Sequence, residues 1–320
     1  MKKILIAMFV LSLSCAACFG QTTANSKQRP GILLLAHGGS LTWNEDVRHI
    51  ADKVDLSLPT EVAFGMATRS AMQSAIDRLI VRKVTEIIAV PLFVSSHSSV
   101  IESQNYLLGQ SAQMPEELKD FVSMDHGAMG KEGEMGHGVT HDPAAAANAM
   151  RPVISPVPIH MASALDAHPI VADILLDRAA SISSDPSHEV VILVAHGPVS
   201  DEGNKLWLKD MSALADQMRG KAQYAAIDFL TLRDDADKPV RDAATKELRQ
   251  KVERAAKTGN ETLIVPLLIS YGGIEGGLRK RLKGLEYRMP SQGLLPDGRI
   301  TDWVVDEAEE FSAKSAAAKK

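Results

Sequence analysis

Two stretches of the chain read as copies of each other. GILLLAHGGS at 31–40 returns as VVILVAHGP at 190–198, and VPLFVSS at 90–96 returns as VPLLISY at 265–271. Such repeats have to be found before a fold is assigned, because they make the chain two versions of one unit. Each copy opens on a continuous apolar run, the pattern of a strand buried on both faces. Each run ends in a histidine, His37 or His196. The C-terminal end of a parallel strand is where open α/β sheets place their ligand chemistry. The repeat therefore predicts two tandem α/β lobes, each a parallel sheet flanked by helices, with a histidine at the edge of each sheet.

The length of 320 residues suits two domains, and a hydrophobic content of 45% suits a folded globular protein. A formal net charge of −5 argues against a phosphate-backbone binder, and an aromatic content of 4% leaves little for base stacking. No nucleic-acid partner is expected. Residues 1–20 read as a signal peptide: Lys2 and Lys3, then the apolar run Ile4 to Leu13, then small residues, with cleavage before Gln21. That run is too short to span a bilayer comfortably, so no membrane span is expected after cleavage. The expected location is periplasmic or secreted. Both cysteines, Cys15 and Cys18, lie in this segment, and a lipid-anchored cysteine is the competing reading. A mature chain without cysteine must bind metal through His, Met or carboxylate groups.

Periodicity places strands at Ile32–Ala36, Glu61–Met66 and Glu86–Val94 in residues 28–172, the expected N-terminal lobe. Helical spacing appears over 43–56 and 70–83, and another helix begins at Ser99. The C-terminal lobe, 186–306, repeats the order, with strands at 190–195, 222–230 and 262–269 and helices at 205–218, 240–257 and 275–285. SISSDPS reads as the linker, within 170–188. Residues 124–150 read as a flexible Gly/Met/His-rich insertion, and the Ala/Lys-rich tail 307–320 reads as frayed.

Among candidate site residues His37 comes first, since Gly38 and Gly39 let the chain turn and leave room for a bulky ligand. Capping of the next helix is the alternative. His97, in SSHSSVIES after the third strand, is its natural partner, because strands one and three of such a unit can lie side by side. Two neutral imidazoles facing a cleft can hold a divalent metal and leave positions open. Glu102 can orient or complete that site; an exposed loop histidine is the bland reading of His97. In the insertion, His126, His137 and His141 stand with Met124, Met129 and Met135, a set suited to soft-metal capture but without a fixed motif. His160 reads as a core or edge residue, and His168 as a helix start that can reach the cleft.

AHGGS, the pair Asn44–Glu45 and VPLFVSSHSSVIE resemble the class II chelatases of the sirohydrochlorin cobaltochelatase type. LDAHPIVADILLDRA at 165–179 is similar to the family's segment that closes the lobe, and the likeness covers most of 31–310. The resemblance implies insertion of a divalent metal, Co²⁺ first with Ni²⁺ or Fe²⁺ possible, into a tetrapyrrole, and maps the family's paired histidines onto His37 and His97. It also departs from the family. Glu102 stands where an aspartate is common, and Gly272 of the C-terminal lobe aligns with His97, so one working site is expected, in the N-terminal lobe. An exported member is itself a departure, because tetrapyrrole synthesis is generally cytoplasmic.

Insertion requires loss of two pyrrolic protons as the metal sheds its ligands, work that two histidines can divide. An acidic macrocycle would need cations, which Arg279, Lys280, Arg281 and Lys283 offer. The preceding Gly272 and Gly273 would let the backbone approach a flat ligand. The rival is an exported, non-enzymatic metal-binding or delivery protein using the same histidines and the His/Met loop. A hydrolase using Ser40 or Ser95 is a third reading, weakened by the lack of a G-x-S-x-G elbow.

Overall fold

The two apolar runs that end in histidine are the central strands of two parallel sheets. In the computed structural model, which describes residues 29–123 and 143–318, the elements follow in alternating order. Lobe one contains β1 (Pro30–Ala36), α1 (Leu41–Asp55), β2 (Thr60–Phe64), α2 (Arg69–Val81), β3 (Glu86–Pro91), α3 (Ser99–Leu107), α4 (Glu117–Ser123), α5 (Pro143–Ala149), β4 (Ile159–Met161) and α6 (Pro169–Ala180). Lobe two contains β5 (Glu189–Ala195), α7 (Asp201–Arg219), β6 (Ala226–Thr231), α8 (Lys238–Lys257), β7 (Glu261–Leu267), α9 (Ile274–Arg281) and α10 (Gly298–Ala318). The strand orders are β2-β1-β3-β4 and β6-β5-β7, all parallel. No described helix is long and apolar enough to cross a membrane.

Strand alternation divides the interior into three parts. Ile32, Leu34, Ala36, Ile88 and Val90 face inward, as do Val191, Leu193, Ala195, Leu263 and Val265 of lobe two. With α1, α6, α7 and α10 they form one continuous core between the sheets. Leu33, Leu35, Ile87 and Ala89 point the other way, onto α2 and the ends of α3 and α4. Ile192, Val194 and Ile264 meet α8 and α9 on the far side of lobe two.

The lobes exchange their last helices. α6 follows the lobe-one sheet but packs on α7 and β7. Its Arg178 donates to the carbonyls of Gly293 (2.7 Å), Leu294 (3.3 Å) and Pro296 (3.2 Å), all in lobe two. α10 ends lobe two but packs on α1, β1 and β3, with Ile300, Trp303 and Val304 buried. The expected boundary at residue 172 thus falls inside α6, and the segment expected to hold the linker is helical to Ala180. Sequence pattern cannot tell which lobe an amphipathic helix will cover, so a division by chain order misplaces it.

Two further expectations are corrected. Residues 307–318 do not fray but continue α10, with Ala308 1% exposed and the Phe311 ring stacked on His160 at 6.2 Å. Of the insertion expected at 124–150, residues 143–149 form α5; its Ala-rich composition favours a helix once α4 offers a surface. His126, His137, His141, Met124, Met129 and Met135 lie outside the described residues, as does the leader at 1–28.

The repeat extends to the start of the sheets. In lobe two, Arg288 pairs with Glu189 at 2.5 Å and with Glu261. In lobe one His160 holds the equivalent position, 4.0 Å from Glu86. Burial alone would push Glu189 up. The Ser183 hydroxyl, the N–H groups of Ser184 and Asp185 and the Arg288 guanidinium outweigh it and hold the carboxyl at about 2, against an ordinary 4.5. A depressed carboxylate contributes stability that is present above the unfolded value and lost as pH falls through the folded one. Melting temperature should therefore fall between pH 4.5 and about 2 in the native protein, and this component should vanish in Glu189→Gln, as thermal scans across pH will show.

Trp303→Ala should cost about 3–5 kcal/mol. Because α10 covers lobe one, hydrogen exchange should rise in α1 and β3 before it rises in β6. Equal loss of protection in both lobes would contradict the exchanged-helix arrangement.

Candidate functional site

β1 and β3 are adjacent and parallel, with Leu35 opposite Pro91, so their following loops share one edge of the lobe-one sheet. His37 directly follows β1 and is exposed. Its Nδ1 lies 2.6 Å from the Gly38 carbonyl. A carbonyl can only accept, so Nδ1 is the donor here, and in the neutral ring Nε2 then carries the lone pair. A metal-ligating histidine is commonly fixed this way, by donating its other ring nitrogen to a backbone carbonyl. Gly38 stands at φ +85, where an L side chain is strained. His196 repeats the device in lobe two: its Nδ1 is 2.8 Å from the Gly197 carbonyl, and Gly197 has φ +77. Its Nε2 lies 3.5 Å from Asp235.

His97 sits on the loop after β3, half-buried, and turns toward lobe two. Its Nε2 is 3.7 Å from Asp210 Oδ2 on α7, and its carbonyl accepts from Trp207 Nε1 at 2.8 Å. The same loop is held from within lobe one. The Ser96 N–H and hydroxyl donate to the two carboxylate oxygens of Asp166 at 2.6 and 2.7 Å, and the His97 N–H donates to Ser95 Oγ at 3.1 Å. Asp166 itself has φ +44. Burial, and then the Asp166 carboxylate, push Asp210 up, while His97 and Lys209 pull it back.

The loop after β7 makes the reciprocal contact. Ser270 donates to Asp46 of α1 at 2.8 Å, and a Cβ added at Gly272 would stand 3.6 Å from Trp43. Gly272 and Gly273 donate their N–H groups to Glu275 at 3.2 and 2.9 Å, so these donors are already engaged. Tyr271 donates to the Pro290 carbonyl at 2.8 Å, and burial first, then Glu275, push its phenol up to about 12. Of the four cations on and after α9, Arg281 is tied to Asp234, whereas Arg279 and Lys280 are exposed.

Other expected site residues fall differently. Glu102 is exposed in the first turn of α3. Among the described residues no three His, Cys, Asp or Glu side chains form a metal-holding group, so His37, His97 and Glu102 are not assembled as a triad. His168 caps α6, its Nδ1 accepting from Ile170 N at 3.3 Å. His160 lies on the edge strand β4.

Residues 31–182 match the model of the CbiX family. Over that stretch, just under half of the chain, the N-terminal lobe is similar to the CbiX family of class II chelatases. A search of curated proteins finds no match. Among solved structures, SirB from Bacillus subtilis, determined with Fe³⁺, is similar over 91% of this chain and 98% of its own, at 15% identity and a TM-score of 0.58. The sirohydrochlorin chelatase SirB from Bacillus subtilis subspecies spizizenii, in complex with cobalt, is similar over 88% of this chain and 95% of its own, at 12% identity and a TM-score of 0.51. At these identities the likeness is one of fold, and it extends over both lobes.

Sequence reasoning singled out His37 and His97 but not the groups near them: Trp43, Asp46, Asp166, Trp207 and Asp210. Their signal was faint. A charge on an amphipathic helix reads as solvated, and Asp166 declares itself only through its positive φ. The scarce aromatics were the better clue, since all three tryptophans, Trp43, Trp207 and Trp303, lie in or against the core between the lobes.

Gly38→Ala tests the geometry of the β1 loop. It should cost about 1–2 kcal/mol through its positive φ. It should also displace the Nδ1–carbonyl bond, seen as a change in the His37 ring proton by NMR.

Proposed function

We propose that this protein inserts a divalent metal, Co²⁺ before Ni²⁺ or Fe²⁺, into a sirohydrochlorin-like tetrapyrrole, at a single site in lobe one. One observation carries the reading: His37, exposed and with Nδ1 turned to the Gly38 carbonyl at 2.6 Å, stands on the sheet edge that also bears the His97 loop. A two-histidine site suits a metal that is substrate rather than resident, because it leaves coordination positions for pyrrole nitrogens. Neutral imidazole can hold the entering ion or accept a pyrrolic proton, but one nitrogen cannot do both at once. Two histidines can share these tasks.

Exposed apolar side chains stand near the histidine loops of both lobes. Leu41 (74% exposed) begins α1 just beyond the His37 loop, Val199 (58%) follows His196, and Leu206 (40%) precedes Trp207. Arg279 and Lys280 are available for substrate carboxylates, while the engaged N–H groups of Gly272 and Gly273 shape a wall rather than donate. The basic and apolar start at residues 1–20 supports a location beyond the cytoplasmic membrane. That location, together with the His/Met segment, also favours a second reading: a metal-delivery protein on the chelatase fold.

Purified protein mixed with sirohydrochlorin and Co²⁺, followed by absorbance, separates the two. Metallation faster than the protein-free control, falling about 100-fold or more in His37→Ala and in His97→Ala, is the expected result. Tight Co²⁺ binding with no acceleration would establish delivery instead.

A further inference from the structure

Lobe two has no counterpart of His97, yet its α7 meets the His97 loop at both backbone and side chain. Trp207 Nε1–H donates to the His97 carbonyl at 2.8 Å, fixing the backbone at the residue that bears the ring. The Asp210 carboxylate faces the ring itself, Oδ2 to Nε2 at 3.7 Å, and this buried oxygen accepts no hydrogen bond among the described residues. Behind the loop, Asp166 holds Ser96 through two hydrogen bonds. A loop histidine left alone samples several rotamers and both neutral tautomers. Here one edge of the ring faces a carboxylate at ion-pair range, which favours the proton on the nearer nitrogen.

We propose that Trp207 and Asp210 are positioning residues of the lobe-one site: lobe two holds His97 as the Nε2–H tautomer and leaves Nδ1 as its metal-facing lone pair. The inference rests on the chelatase reading and deepens it. The two histidines would then present opposite nitrogens, Nε2 from His37 and Nδ1 from His97. A carboxylate facing a ligating imidazole favours the proton on the near nitrogen and orients the ring, and loss of such a partner commonly costs 10–100-fold in metal affinity or activity. The second lobe, without a complete site of its own, thereby becomes part of the first.

The test uses the full chain, free of metal and then titrated with Co²⁺. Ring ¹⁵N NMR, with His97 assigned by its loss in His97→Gln, should show a proton on Nε2 in the native protein. Asp210→Ala and the near-isosteric Asp210→Asn should turn this into a tautomer mixture. They should weaken Co²⁺ binding about 10–100-fold, with partial recovery in Asp210→Glu. Trp207→Phe, which keeps an aromatic side chain but removes the donor, should weaken binding in the same direction. Matched circular dichroism spectra verify that each variant is folded. If His97→Ala leaves Co²⁺ binding and metallation unchanged, the chelatase reading fails. If His97→Ala abolishes them but the Asp210 and Trp207 variants bind like the native protein, or His97 carries its proton on Nδ1, the positioning role is overturned and the chelatase reading stands.

Discussion

Lobe one does not cover its own inner face. Its central strand sends Ile32, Leu34 and Ala36 toward lobe two, and the side chains that close over them come partly from α10, at the far end of the chain. α6 does the same for lobe two. Each sheet therefore depends on a helix borrowed from the other half. The hydrophobic effect is indifferent to chain order, so area removed from water counts equally whichever segment supplies it. Reciprocal borrowing makes the two lobes one core and fixes how their sheet edges face each other.

That fixed approach is what gives the site its form. The loop after β3 reaches α7, and the loop after β7 reaches α1, so each lobe's ligand edge is braced by the other lobe's first helix. Duplication supplied matching parts, and divergence has used them differently. The histidine-glycine turn survives in both copies, with the same Nδ1–carbonyl bond. The second histidine survives in one. In lobe two its place is Gly272, where the absence of a side chain leaves room beside Trp43. A similar divergence marks the other end of the sheets, where Arg288 paired with two glutamates in lobe two stands against His160 beside Glu86 in lobe one.

Most of the secondary structure was legible in the residues alone. β1 and β5 are apolar on both faces, and α1, α2, α7 and α8 carry apolar stripes at helical period, so each satisfies its own local pattern. Boundaries moved by a few residues: the third strand ends at Pro91 rather than Val94, and α7 starts at Asp201 rather than Lys205. The misreadings came where local composition was a poor guide to packing. Alanine-rich residues 307–318 looked loose but extend a helix whose earlier turns are anchored in the core, and α6 looked like the end of one lobe but serves the other.

The sequence by itself determined that two like units exist, that each ends its first strand in a histidine, and that His37 has a partner candidate in His97 only in the first unit. Spacing and residue type suffice for this, because strand burial and turn chemistry are local. The tertiary structure alone decided that Trp207 and Asp210 stand against His97, that Glu102 faces solvent, and that the helices cross between lobes. Those facts depend on contacts between segments far apart in the chain, and such contacts are set by how surfaces fit once folded, which no periodicity in the chain encodes.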